Sequence, residues 1–276
     1  MSTSVIPSYG IIERSPTVDD SDRIVEEIRN LGYAVINPGI SDENAQQLAT
    51  KFDIVYAAYQ HRFGTAFLND RDEHNTIRLP LAFNSSFLYL ATNKNLIAII
   101  SKLIYGKFIL NQQNGIINPV GSRYNQGAWH RDLPYQHFVS TRPIIINALY
   151  CVDDFTAQNG ATYVLPASHK QNAFPSDEYV AKNAIQVAAP AGSFIIIDGM
   201  TYHRGGKNTT QTPRRAVNHV YTIPYIKQQI LIPSALREEA ASLDEAAKDL
   251  LGFRYESPRT IEEFITDRPL RAKLNN

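Results

Sequence analysis

The period of the hydrophobic positions changes twice along the chain. Over residues 21–31, Ile24, Ile28 and Leu31 recur at helical spacing, with Ser21 read as the cap and Gly32 as the stop before a short strand, Tyr33–Ile36. Ser41 opens a longer helix in which Ala45, Leu48, Phe52, Val55 and Tyr59 share a face, and a third helix over 93–105 carries Leu96, Ile99, Ile100 and Leu103 ahead of Gly106. From Lys107 the pattern turns into short apolar runs broken by Gly, Pro and Asn: KFILNQQNGII, RPIIINALYCV, GATYVLP, AIQVAA, GSFIIID and RAVNHVYTI. Many short strands at such spacing predict a sandwich or barrel. Helical character returns in SALREEAASLDEAAKDLLGF, and RTIEEFITDRPLRAKL reads as a charged amphipathic end that packs or forms a lid. Stretches 60–83 and 171–183 read as long loops, which in compact domains often serve function. The expectation is one domain over 1–276, mainly β with flanking helices: a helical N-terminal region over 1–106, a β core over 107–226 and a helical tail over 227–276.

Composition narrows the partners. Lys plus Arg equals Asp plus Glu at 27 each, so no global field draws the protein to nucleic acid or to an anionic membrane. No apolar run approaches the roughly 20 residues of a membrane span, and the amino terminus lacks a basic stretch followed by an apolar core. A cytoplasmic protein, monomer or homodimer, acting on a small molecule is the resulting expectation. The single cysteine, Cys151, excludes an intrachain disulfide, and its apolar surroundings mark it as buried rather than reactive.

The chemistry concentrates in His130-Arg131-Asp132, a second histidine at His203, and Arg214 directly after Pro213. Two imidazoles and one carboxylate hold a redox iron on one face and leave the other face open for substrate and oxygen. If GAWHRDLPY begins in a strand, His130 and Asp132 leave the same face and Arg131 points elsewhere. Taken alone, an H-x-D pair is more often a pair of surface residues; the second histidine and the arginine give it weight. HRD also occurs in the catalytic loop of protein kinases. There an Asn stands five residues after the Asp, where this chain has His137, and Asp198-Gly199-Met200 is a poor match to the DFG element.

Residues 111–222 resemble the phytanoyl-CoA dioxygenase family of Fe(II)/2-oxoglutarate-dependent oxygenases. WHRD matches the family's ligand element, and DDFTAQNGATYVLPASHK matches its D-x-T-x-x-N-G followed by P-G-S-H, with Ala167 for the usual glycine. AGSFIIIDGMTYHRGGKN and TPRRAVNHVY match the distal-histidine and P-R strand elements. The resemblance implies a double-stranded β-helix, or jelly roll, with Fe(II) on His130, Asp132 and His203, 2-oxoglutarate as cosubstrate and O2 as oxidant. It assigns Arg214 rather than Arg215 to the distal carboxylate of 2-oxoglutarate and places Asn118 near the cosubstrate. A guanidinium fork suits that carboxylate, and strand alternation would turn Arg215 outward. Gly205 stands where some relatives place a serine on 2-oxoglutarate, so that contact is absent or supplied elsewhere. Halogenating relatives replace the carboxylate ligand by a small residue, whereas Asp132 is retained here.

The implied activity is hydroxylation of an unactivated C–H bond of a small polar metabolite (an amino acid derivative, an aminosugar or another specialised metabolite), with release of succinate and CO2. Desaturation or cyclisation by the same enzyme class is the alternative, and a non-catalytic jelly-roll module that keeps a metal for structure is the reading from another class. Gln112, Arg123, Trp129, Tyr135, Asn147 and Asn218 are the candidate substrate residues, with packing or solvated roles as their rival readings. His169 is expected to bind backbone at a corner, and His219 to be packed away from the chemistry.

Overall fold

The computed structural model describes residues 6–15, 17–121, 124–133 and 135–266. Helix α1, Asp20–Leu31, starts two residues earlier than a Ser21 cap would place it. Its cap is Asp19 rather than Ser21: Asp19 accepts from the Asp22 backbone N–H while the Asp22 side chain accepts from the Asp19 backbone, a reciprocal box. Gly32 ends the helix at φ 87°. A Cβ there would lie 2.2 Å from Thr201 Oγ1 and 2.7 Å from His169 Nδ1, so close approach as well as conformation requires glycine. Strand β1, Tyr33–Ile36, and helix α2, Asp42–Phe63, capped by Ser41, follow as expected.

The stretch 60–83 is not a loop. It finishes α2, then forms helix α3, Thr65–Asp70, strand β2, Thr76–Arg78, and a 3-10 turn at Pro80–Ala82. Three-residue strands and single helical turns are too short to show a period, which is why they are illegible in sequence. Helices α4, Ser86–Ala91, and α5, Lys94–Leu103, lead into the β region of β3, Ile109–Asn118, β4, Ile145–Cys151, and β5, Tyr163–Val164. Helix α6, Asp177–Asn183, ends the second stretch read as a loop. Then come β6, Ile185–Gln186, β7, Phe194–Asp198, β8, His203–Arg204, and β9, Arg214–Thr222. The tail is broken rather than continuous: α7, Ile232–Ala235, α8, Glu245–Leu251, and α9, Ile261–Thr266. No helix among the described residues is long and apolar enough to cross a membrane.

Among the described residues the strands form two antiparallel sheets, one ordered β1-β7-β4-β9-β3-β2 and a smaller one ordered β6-β5-β8. The first third of the chain is thus not only helical support, since it supplies both edge strands of the main sheet. Alternation divides that sheet's residues between two cores. Ile36, Ile77, Ile146, Ala148, Tyr150, Phe194, Ile196, Val217 and Tyr221 face the layer of α1, α2, α4 and α5 with Val25, Phe52, Phe87 and Ile100. Leu149, Cys151, Ile195, Ile197 and Ala216 face the other way, packing with Val164 of the small sheet and with Phe155, Val187 and Ala189. A main sheet backed by helices and faced by a smaller sheet is the jelly-roll arrangement, and the site lies between the sheets.

Candidate active site

An isolated antiparallel bridge brings the two histidines together. His130 and His203 each donate a backbone N–H to the other's carbonyl at 3.0 Å, and the Asp132 N–H reaches the Gly199 carbonyl at 3.2 Å. Residues 130–132 are therefore held by three backbone bonds rather than by a regular strand, yet His130 and Asp132 do converge. Nε2 of His130 and Nε2 of His203 each lie 3.4 Å from Asp132 Oδ1.

The tautomers follow from what the other ring nitrogens meet. His130 Nδ1 lies 2.8 Å from the Ala128 carbonyl and His203 Nδ1 lies 2.9 Å from the Thr201 carbonyl. A carbonyl only accepts, so each Nδ1 carries the proton and each Nε2 keeps its lone pair for an ion. Burial opposes charge on Asp132, but His203 and His130 more than offset it and hold the carboxyl far below the usual carboxylate range. Burial also opposes charge on His130, and the Asp132 hydrogen bond and charge raise its proton affinity above the ordinary value. The three side chains thus form a place for positive charge, with ligand atoms all within 4.8 Å of one another. This nitrogen and oxygen donor set fits a divalent transition metal.

Arg214 opens β9 directly opposite Asn118 of β3 and is 2 % exposed. Its guanidinium carbon sits 3.9 Å from the centre of the Phe155 ring, and Tyr124 stands in the same cleft wall. Among the described residues no carboxylate forms an ion pair with it, and its Nε is buried without a partner. Burial lowers its pKa below the ordinary arginine value. A buried guanidinium without a counter-ion is costly unless an anion completes it, and the distal carboxylate of 2-oxoglutarate has the matching charge and shape. Arg215, one residue on, points away: its guanidinium holds Asp153 in two bonds, at 3.1 and 2.6 Å, and reaches Asp53 at 2.7 Å.

These groups share a cleft that includes His130, Asp132, His203, Arg214, Asn147 and Asn218 in its wall. Residues 28–216 match the family model for phytanoyl-CoA dioxygenase (PhyH). The chain belongs to the phytanoyl-CoA dioxygenase family. This family member is 28 % identical over 253 residues to the uncharacterised protein Rv1501 of Mycobacterium tuberculosis (strain ATCC 25618 / H37Rv), covering 88 % of this chain and 90 % of that one. It is 24 % identical over 276 residues to the dioxygenase olcK of Penicillium canescens, covering 92 % and 86 %. Its fold is similar to that of EctD from S. alaskensis, solved with 2-oxoglutarate and 5-hydroxyectoine: TM-score 0.61, 19 % identity, 76 % of this chain and 80 % of that one. It is also similar to the non-heme alpha ketoglutarate dependent epimerase SnoN from nogalamycin biosynthesis: TM-score 0.57, 16 % identity, 74 % and 83 %.

The other residues singled out in this dioxygenase-family sequence fall in several places. Asn147 donates its amide to Asp132 Oδ2, so it touches the ligand set itself. Asn118 lies behind the cleft wall, donating to the Gly160 and Gly206 carbonyls at 3.2 and 2.9 Å. Three of the proposed substrate residues are off the wall. Gln112 accepts from Asn114, Trp129 packs between Phe174 and the Arg204 guanidinium, and Tyr135 is exposed beside Phe138. Arg123 lies outside the described residues. His169 binds the Arg29 carbonyl at 3.0 Å, and Cys151 is buried, which pushes its thiol up. Tyr124 and Gln126 line the cleft from outside the motif stretches, while Thr162 and Arg204 line it from within them without having been singled out. The signal for Tyr124 is present only indirectly, in the glycine at 205.

Proposed function

We propose that this protein is an Fe(II)- and 2-oxoglutarate-dependent dioxygenase, one catalytic domain over 1–276, that hydroxylates a small polar metabolite and releases succinate and CO2. Arg214 carries the reading: a buried guanidinium without a carboxylate partner among the described residues, in the same cleft as three convergent metal-binding atoms. A structural metal site needs no such cation, and usually has a closed ligand shell. Bound in this cleft, iron and the 2-oxo acid supply the oxidising power, with one oxygen atom of O2 leaving in succinate and the other in the alcohol.

The chain's own residues set the conditions. His130, Asp132 and His203 would hold the ion and leave its remaining positions for ligands. The Ala128 and Thr201 carbonyls fix the imidazoles, and Asn147 fixes the carboxylate. Ile116, Leu149 and Ile197 exclude water from the inner wall. A polar substrate is supported by the sheet face around Asn218: its register partner Asn114 has a buried amide oxygen without a partner, as does Asn147. Such acceptors suit a ligand with hydroxyl or ammonium donors. The similar fold of EctD, solved with 5-hydroxyectoine, is consistent with a ligand of that size.

The test is anaerobic addition of Fe(II) and 2-oxoglutarate to purified protein, followed by visible absorption. A charge-transfer band of the chelated 2-oxo acid is expected in the wild type and not in His203→Ala, with O2 uptake and succinate release on aeration. A folded wild-type protein without the band would instead support the non-catalytic binding module.

A further inference from the structure

We infer that Tyr124 supplies the hydroxyl that completes the carboxylate-binding end of the cleft, in exchange for a side chain at position 205. The inference rests on the reading of Arg214 as the 2-oxoglutarate anchor. It starts from a collision: a Cβ built on Gly205 would lie 2.3 Å from Cε1 and 2.8 Å from Cδ1 of Tyr124. The tyrosine ring occupies the volume that a side chain two residues after His203 would need. Gly205 has no positive φ, so room for the ring and not backbone freedom requires glycine here.

The ring is held in place by the backbone around it. The Gly205 N–H donates to the Gln126 carbonyl at 2.7 Å, and the Gly127 N–H closes a turn onto the Tyr124 carbonyl at 3.0 Å. Asn125 ties the same turn to the Asp72 carbonyl at 3.1 Å. Tyr124 therefore reaches into the cleft from a segment pinned to the residue whose side chain it excludes. Tyr124 and Arg214 interact electrostatically in the wall of the same cleft. A neutral phenol has a proton to give, and the Tyr124 hydroxyl lies beside that guanidinium. One carboxylate can then receive N–H bonds from Arg214 and an O–H bond from Tyr124. The 2-oxo acid end, bound at the metal, does not need the tyrosine.

The experiment is anaerobic titration of the Fe(II) protein with 2-oxoglutarate and, separately, with 2-oxobutyrate, which has the same chelating end but no distal carboxylate. Tyr124→Phe keeps the ring and loses the hydroxyl. It should weaken 2-oxoglutarate binding about 10-fold, the effect of one hydrogen bond to a charged group, and leave 2-oxobutyrate binding unchanged. Gly205→Ser alone should weaken 2-oxoglutarate because the new side chain displaces the ring, whereas Tyr124→Ala with Gly205→Ser should bind more tightly than Tyr124→Ala. Wild-type affinity in Tyr124→Phe overturns the inference, and a double variant no tighter than Tyr124→Ala overturns the exchange. Arg214→Ala in the same titration separates the two levels. If it too binds 2-oxoglutarate like the wild type, or the wild type binds none, the underlying reading falls and the inference with it.

Discussion

The side-chain amide of Asn147 donates to Oδ2 of Asp132 while Oδ1 of the same carboxylate faces both imidazoles. One carboxylate oxygen is thereby committed to the protein and the other to the ion. Asn147 lies on β4, in register with Ile197 of β7 and Val220 of β9, so its position is set by the centre of the main sheet. Asn147→Leu should preserve the fold and weaken Fe(II) binding about 10- to 100-fold, the range for loss of a group that orients a ligand. Metal titration of the two proteins checks this, and equal affinities would remove Asn147 from that role.

Arg214 and Arg215 are adjacent but serve different partners, so their alanine variants should fail differently. Arg214→Ala should raise the 2-oxoglutarate requirement by about two orders of magnitude with little effect on the unfolding midpoint, because no carboxylate among the described residues pairs with the side chain. Arg215→Ala strands Asp153 and Asp53 and should lower unfolding free energy by about 1 to 3 kcal/mol while 2-oxoglutarate saturation is retained. Saturation curves and denaturant melts on both variants decide the matter. The opposite pairing of defects would mean that the wrong arginine had been placed in the cleft.

Long periodic elements were legible in the sequence, as were residues whose chemistry is rare. The faces of α2 and α5, the cap Ser41, and the six apolar runs that became strands follow directly from local pattern. The candidate ligand set stood out because few other uses demand two histidines, one aspartate and a Pro-Arg element in that order. What was not legible depends on three-dimensional proximity. Trp129 and Tyr135 are near His130 in sequence, but the chain turns them toward Phe174 and solvent. Asn118 supports the cleft through two carbonyls contributed by residues 160 and 206, which no local pattern reveals. Tyr124 reaches the site through a turn too short to show a period.

Two buried titratable groups should act on stability with opposite signs. His219 is fully buried between Phe194 and Tyr221, and burial lowers its pKa from 6.5 to about 4. The unfolded chain therefore binds the proton more readily, and this group removes stability as pH falls from about 6.5 to about 4, by about 3 kcal/mol in full. Asp198 is also buried, and burial raises its pKa from 3.8 to about 6. Here the folded state binds the proton more readily, so stability is fully present below about 4 and about 3 kcal/mol is lost as pH rises through 6. Between pH 4 and 6 the two nearly cancel. Relative to wild type, His219→Gln should become progressively more stable toward acid, and Asp198→Asn should lose ground toward acid. Urea melts at pH 4.5, 5.5 and 7 test both signs, and parallel pH profiles for all three proteins would contradict the assignment.

Arg131, between the two ligands of the HRD element, is 2 % exposed and has no carboxylate partner among the described residues. Its guanidinium donates instead to backbone carbonyls: Gln136 at 2.5 Å, Ser168 at 2.8 Å, Gln171, and Asn172 at 3.4 Å, with the Tyr202 ring 4.0 Å away. This planar fork spans three chain segments, joining the ligand stretch to the turn after Ala167 and to the residue before His203. Lys would keep the charge, but its single nitrogen cannot reach these carbonyls at once. Arg131→Met and Arg131→Lys should therefore both lower unfolding free energy by about 3 kcal/mol or more, since each leaves buried carbonyls without donors. Both should weaken metal binding as well, because the segment holding His130 and Asp132 loses its tie to the turn. Calorimetry and Fe(II) titration check the two effects together. A lysine variant as stable as the wild type would show that the charge, and not the fork, is what this position requires.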